Sequence, residues 1–471
     1  MPRLALSKQY LLLGYTTYFL LSVLSVLYYK ERTVFIDIAF HLFQILKDGT
    51  FAIQNNRFVA FVTQLIPLTG SSLQLSLSNI ALLYSLSFTL LHFTTFAIIG
   101  QLLKNIKVAV AFLLFSVLMT THTFFWIQSE LPQGVAFLFI FIALFDNILH
   151  KDKIPEYFIL AATILLVTIT FSHPLILFAC LFLFVFYYLS FPGKRKFIVY
   201  SGITYLTLYL LKSLFFKTAY DLQAMGGLKN IVSLFPNYFN LASNKNFFKY
   251  LLYDYYFLPI CLLLNSAYYI ITNYKLQITN YKLQITKLIL GLVFFVGYAL
   301  LINLSYSTGA DQFYLENQYL ILSIIVGFPF AYDFLPSIKE GKTQILIVGF
   351  IALAGVIRIY NTHYMYTNRL NWYRKTLAET SALPQKKLVI PADKAPKDLL
   401  LMTWGSSYEF WLLSTIEEGV SRSIIIEETA NEFDWAMGNN KAFIAKWGTF
   451  DYDKLNPEYF KFYDESPYVK K

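Results

Sequence analysis

The sequence predicts a mainly α polytopic membrane protein, with about eleven transmembrane helices followed by a small C-terminal extracytoplasmic α/β domain. Three observations predict it. The chain is 57% hydrophobic and 19% aromatic with only 14% charged residues, well short of the roughly 25% charge of a soluble domain. Apolar stretches of membrane-spanning length recur along residues 1–360. From about Asn361 the pattern changes to mixed aromatic and charged residues with short β-like runs, so residues 361–471 read as a separate domain.

Taken in order, spans are expected near residues 9–29, 73–100, 108–126, 133–149, 157–172, 174–191, 197–215, 250–272, 288–304, 318–336 and 344–360. The first is too long for a signal-peptide core and ends in Tyr28-Tyr29-Lys30-Glu31-Arg32 with no small-residue cleavage site, so it is expected to stay as an anchor. If the spans alternate, Arg3 and Lys8, Lys104 and Lys107, Lys151 and Lys153, Lys194 to Lys196, Lys275, Lys282 and Lys287, and Lys339 and Lys342 all fall on one side. The positive-inside rule makes that side the cytoplasm and puts the C-terminal domain outside, and a bacterial inner membrane is the expected location. The net charge of +10 follows the same partition. Residues 1–360 carry 24 Lys and Arg against 13 Asp and Glu, and residues 361–471 carry 14 against 15. A surplus spread over membrane-flanking loops is topological, so no nucleic-acid partner is expected.

Between the first two spans, Thr33 to Asp48 reads as an amphipathic helix beside the bilayer. Asp37, His41, Gln44 and Asp48 recur at helical offsets on one side, and Phe35, Ile36, Phe40, Phe43 and Leu46 cover the other. Periodicity alone also fits an interfacial helix with a solvated face. The outer segment from Phe215 to Lys249, broken by Gly226-Gly227 and Pro236, can lie on the membrane and cover a lipid-facing site. A tandem ITNYKLQ heptapeptide at 271–277 and 278–284 is too short for a coiled coil and reads as a tolerant cytoplasmic connection. In the tail, Lys387 to Pro391, Leu399 to Trp404 and Ser423 to Glu427 are β-like, with turns expected at Ala382-Leu383-Pro384 and Pro391-Ala392-Asp393. Glu427, Glu428, Glu432 and Asp434 form an acidic run, which is ordinarily a solvated face rather than a cation site. Cys180 and Cys261 fall inside apolar spans and read as small buried hydrophobes, leaving no disulfide framework or metal motif.

Ionisable residues nevertheless gather at the expected outer face: Asp37, His41, Arg57, His122, Glu130, His173, Lys212, Lys217, Asp311 and Glu316. Charges at membrane depth are costly and tend to line a cavity or pathway. Plainer roles stand beside that one. Ser129-Glu130 can be a helix start, His173-Pro174 a tight turn, and Lys212 and Lys217 snorkelling cations.

Together with the topology, these residues make the chain resemble the GT-C class of integral-membrane glycosyltransferases, which take a sugar from a polyprenyl-phosphate carrier at the outer leaflet. The resemblance covers the plan of residues 1–360 and the first-loop acid, and the tail resembles the extracytoplasmic domains that many such enzymes append. It implies Asp37 as catalytic base, Glu130 as second acid, and His173 and Arg57, joined by Lys212, as contacts for the donor phosphate. His41, Asp311 and Glu316 are further candidates. Where many relatives carry an arginine at the start of a late span, this chain has Leu315-Glu316-Asn317-Gln318-Tyr319. The implied partners are a lipid-linked sugar donor, a glycan, lipid or protein acceptor, and membrane lipids. No metal motif is visible and no cofactor is assigned, although carboxylates beside a phosphate can recruit a divalent cation. The competing expectations are a transporter or flippase for a lipid-linked or anionic solute, whose internal repeats are not seen, an outer-leaflet glycan polymerase or ligase relying on loop arginines, and a membrane scaffold.

Overall fold

A computed structural model describes residues 2–151, 155–220, 230–275, 281–383 and 386–471. Helices make up 73% of it, which places the chain in the mainly α class. Each predicted apolar stretch contains a helix, that of 108–126 ending at Leu118, and the main helices in chain order are α1 (Pro2–Leu27), α2 (Tyr29–Thr33), α3 (Ile36–Asp48), α4 (Phe61–Ser72), α5 (Leu77–Ala97), α6 (Ile106–Leu118), α7 (Glu130–Leu149), α8 (Glu156–Thr170), α9 (Ile176–Ser190), α10 (Arg195–Phe215), α11 (Ala242–Tyr253), α12 (Phe257–Lys275), α13 (Tyr281–Ser305), α14 (Gln312–Pro329), α15 (Gly341–Ser381) and α16 (Ser406–Glu418).

Among the described residues, eight helices are long and apolar enough to cross a membrane. Three of the eleven expected spans, α6, α8 and α9, are shorter. At 1.5 Å per residue, the 13 residues of α6 reach only about 20 Å. Every residue from Val108 to Leu118 is buried, so α6 is a core helix wrapped by protein rather than by lipid. The helix α4 was not anticipated. It leans on α5 in the connection after α1, and Thr63 Oγ1 donates to Gln133 Oε1 of α7 at 2.9 Å.

The helices form nested layers. α7 and the segment from Gln312 to Ser337 are about four-fifths buried, whereas α10 is almost wholly peripheral. Phe19, Leu160, Leu214, Val293 and Phe350 project from the outside of the bundle, each more than half exposed, a face suited to lipid. Cys180 and Cys261 are buried and free, as expected.

Two predicted boundaries move. α15 runs without a break across residue 361 to Ser381, so it belongs to both regions. The first ITNYKLQ unit ends α12 and the second enters α13, so the repeat is partly helical; its residues 276–280 lie outside those described, as do Gly226, Gly227 and Pro384.

The tail folds as α/β. Strands β1 (Leu388–Ile390), β2 (Ile424–Ile426) and β5 (Val469–Lys470) form a parallel sheet in the order β2-β1-β5, and α16 links β1 to β2. β1 and β2 are buried at every position, as strands covered on both faces must be. β3 (Ala442–Ala445) and β4 (Gly448–Asp451) make an antiparallel hairpin whose two-residue tip is Lys446-Trp447. The predicted strand at Leu399–Trp404 is instead a short helical turn, Lys397–Leu400, followed by Leu401 at φ +67°.

Candidate functional site

The first connection, after α1, builds one wall of the site. α3 starts at Ile36 after extended Phe35 and stops at Asp48, because Gly49 takes φ +63° at its C-terminus. Its apolar side does not lie on a bilayer. Phe43 inserts among five rings of the tail, with centroids 5.0 to 5.2 Å from Tyr408, Trp411, Phe443, Phe450 and Phe460. The amphipathic pattern of α3 is therefore a docking face for the C-terminal domain, and its other side carries Asp37 and His41.

Two further contacts fix that helix start. Ile36 has φ +22°, a conformation that a β-branched residue avoids. It is held by Glu409 of α16, whose Oε1 accepts from the Ile36 N–H at 2.9 Å, and by Gly405, whose missing Cβ would sit 2.9 Å from Ile36 Cα. Glu409 in turn pairs with Arg369 of α15 at 2.5 Å and accepts from Tyr373 Oη at 2.7 Å, all three residues being buried. Strain next to a candidate reactive group is a recurrent feature of functional sites.

Asp37 and Glu130 open onto the same cavity of about 550 Å³. Arg57 lies on its wall, with Nη1 3.3 Å from Glu130 Oε2. The Gln54-Asn55-Asn56 turn that presents Arg57 uses left-handed Asn55 and Asn56, at φ +51° and +55°, positions that asparagine tolerates better than most residues. Behind it Ala52 is clamped: its N–H donates to Gln64 Oε1, and its carbonyl accepts from Gln64 Nε2 and from His41 Nδ1.

Burial pushes the Asp37 carboxyl up to about 7, the negative charges of Glu130 and Glu409 push the same way, and a hydrogen bond from the Trp126 indole opposes them. His41 also lines the cavity. Burial pushes its imidazole down to about 4, and the bond from Nδ1 to Ala52 leaves Nε2 as an acceptor on a neutral ring.

The remaining predicted residues divide. Burial, reinforced by the positive charges of nearby Arg57 and Lys212, lowers the His173 pKa well below the usual value; of these three only Arg57 lines the cavity. His173 Nδ1 accepts from the Leu175 N–H at 3.2 Å, the tight turn expected from His173-Pro174. Glu316 is not at the cavity. Its carboxylate accepts from the backbone N–H groups of Thr121, His122 and Thr123 at 2.7 to 3.0 Å and from Tyr255 Oη at 2.6 Å, which fastens the loop after α6. Asp311 stands at the exposed N-terminal boundary of α14 without a capping hydrogen bond from its side chain, apart from the cavity lining. Glu130 is the first residue of α7 as expected, but Ser129 Oγ donates to Asn317 Oδ1 at 2.8 Å instead of capping the helix.

Several lining residues were not anticipated: Gln54, Asn55, Trp126, Gln128, Tyr220, Tyr314, Asn317 and Gln318 from the helical region, and Met402, Trp404 and Trp447 from the tail. Asn317 and Gln318 fall within the polar LENQY run, a signal that was visible. The tail residues reach the site only through folding. No group of three or more His, Cys, Asp or Glu side chains among the described residues is arranged to hold a metal. The acidic run of the tail is neutralised instead, with Lys446 pairing to Glu428 and Glu432 and Lys470 to Glu427 and Asp434. No protein family, curated protein or solved structure matches this chain.

Proposed function

We propose that this protein is a membrane glycosyltransferase that moves a sugar from a polyprenyl-phosphate donor to an acceptor hydroxyl at the outer face of the membrane. The observation that carries this reading is the convergence of Asp37, Glu130 and Arg57 on one cavity at the end of the bundle where the C-terminal domain docks. The reaction needs a base for the acceptor proton and cations to hold the departing phosphate. Asp37, with its proton affinity raised to about 7, is matched to the first task near neutral pH. Arg57, with Lys212 near it, supplies the second, neutral His173 can add a hydrogen bond, and Glu130 orients Arg57 and the acceptor. Single displacement on this geometry inverts the sugar carbon. The cation bias of the opposite loops supports an extracytoplasmic cavity. Arg32, the other arginine of the first connection, is spent on the Phe124 and Ser85 carbonyls at 2.9 and 2.8 Å, which disfavours a ligase relying on loop arginines.

The test is transfer by the full-length protein in lipid nanodiscs, supplied with radiolabelled polyprenyl-phosphate hexoses and pentoses and a cell-envelope glycan extract. Asp37→Asn should lower turnover by roughly 100- to 10,000-fold with donor binding intact. Transfer at the parental rate would remove Asp37 from the chemistry. Movement of the intact donor across the bilayer without a new glycosidic bond would identify a flippase.

A further inference from the structure

The tail contributes more to the cavity than a lid. Trp447 occupies the tip of the β3–β4 hairpin and is 60% exposed, a costly placement for an indole. Its ring lies against Trp404, with centroids 4.3 Å apart and planes inclined by 34°. Both rest edge-on upon Phe40, at 5.7 and 5.8 Å, one helical turn beyond Asp37. The tip is held in place, because neighbouring Lys446 pairs with Glu428 at 2.8 Å and also with Glu432. The acidic run thus braces the hairpin that presents Trp447.

We infer that Trp404 and Trp447 form a stacking platform for a sugar ring of the acceptor, so that the acceptor is itself a glycan. This rests on the transferase reading of the cavity. The axial C–H groups on one face of a pyranose or furanose carry partial positive charge and complement the negative face of an indole. The rest of the lining suits hydroxyls. Gln54, Asn55, Gln128, Asn317 and Gln318 supply five side-chain amides, each both donor and acceptor, to the cavity that the two tryptophans also line. A lipid or peptide acceptor would leave those amides without the dense, bidirectional hydrogen bonding that a saccharide offers. The competing occupant of an exposed indole on a membrane protein is the bilayer interface.

Linear hexose, pentose and N-acetylhexosamine tetrasaccharides are titrated into the full-length protein in nanodiscs, and indole fluorescence is followed. At least one should bind saturably. Trp447→Ala should raise its Kd about tenfold, and Trp447→Phe, which keeps a stacking face, should stay within about threefold. Trp447 is more exposed than buried, and an unchanged Tm confirms that the alanine variant folds. Absence of binding by all three saccharides, or equal affinity in Trp447→Ala, overturns the platform. So does quenching of the Trp447 emission by brominated lipids, which would place it in the bilayer. Saccharide binding lost in Trp447→Ala while Asp37→Asn transfers at the parental rate would leave the platform standing and sink the catalytic reading. Inactive Asp37→Asn with unaltered saccharide affinity in Trp447→Ala would do the reverse.

Discussion

Asp37 holds its proton to higher pH than an exposed aspartate chiefly because it is buried, and further because it shares the cavity wall with Glu130. Two consequences follow from a carboxyl raised from 3.8 to about 7. If Asp37 is the base, the rate should climb with pH and level off above about 7, a profile readable in single-turnover transfer assays. Stability runs the other way. A carboxyl whose folded pKa exceeds its unfolded value favours the fold at low pH, and that contribution is lost as pH rises from about 4 to about 7. Asp37→Asn should therefore raise Tm more at pH 8 than at pH 4.5, and an equal shift at both would contradict the raised pKa. Asp37 and Glu130 stood out in the sequence because acids flanking apolar spans are rare. Glu316 stood out for the same reason and serves a different end, since sequence cannot tell a carboxylate facing a cavity from one satisfied by three backbone N–H groups.

At the scale of elements, the existence of helices was legible and their surroundings were not. Hydropathy marks α6 as apolar without revealing that protein rather than lipid surrounds it. Periodicity marked the two sides of α3, yet its apolar side meets the aromatic tail, because one apolar stripe can satisfy a membrane or a partner domain equally well. The hairpin carrying Trp447 escaped notice because its strands are four residues each and lack a glycine or asparagine pair at the turn. The α3–α16 contact gives a sharp test. In Gly405→Ala the new Cβ meets Ile36 backbone at 2.9 Å and Ile36 Cγ2 at 3.1 Å, so α16 must move away from the start of α3. A cost of about 1–3 kcal/mol is expected for such overpacking, seen as a lower Tm together with slower turnover. Normal stability and normal turnover would show that the close approach is unnecessary.

Across the whole molecule, the tail and the helical region are keyed together by one buried charge pair. Arg369 also donates to the Leu400 and Val34 carbonyls at 3.0 and 3.2 Å, so it touches α15, the tail and the connection before α3 at once. Breaking a pair of this kind by removing one charge costs about 3–5 kcal/mol, because the other stays buried without its partner. Glu409→Gln should loosen the docking of the tail, detected as faster protease cleavage after Ser381 and a saccharide affinity weakened along with turnover. Unchanged cleavage would mean that the aromatic contacts of Phe43 suffice alone.

The unbroken helix α15 turns this keyed assembly into a lever. Its 41 residues span about 60 Å, twice the roughly 30 Å of a bilayer's hydrocarbon, so half of the rod stands clear of the lipid. A change in inclination of about 5° at its base carries the far end sideways by roughly 5 Å. Lipids with short acyl chains change the inclination at which such a rod best matches its surroundings. Bilayer thickness should then govern how far Trp404 and Trp447 stand from Glu130, at the start of α7 in the bundle. The expected sign of that coupling is a saccharide Kd that differs between nanodiscs of 14-carbon and 18-carbon lipids while the Arg369–Glu409 pair is intact, and that becomes indifferent to chain length once Glu409→Gln uncouples the rod from its load.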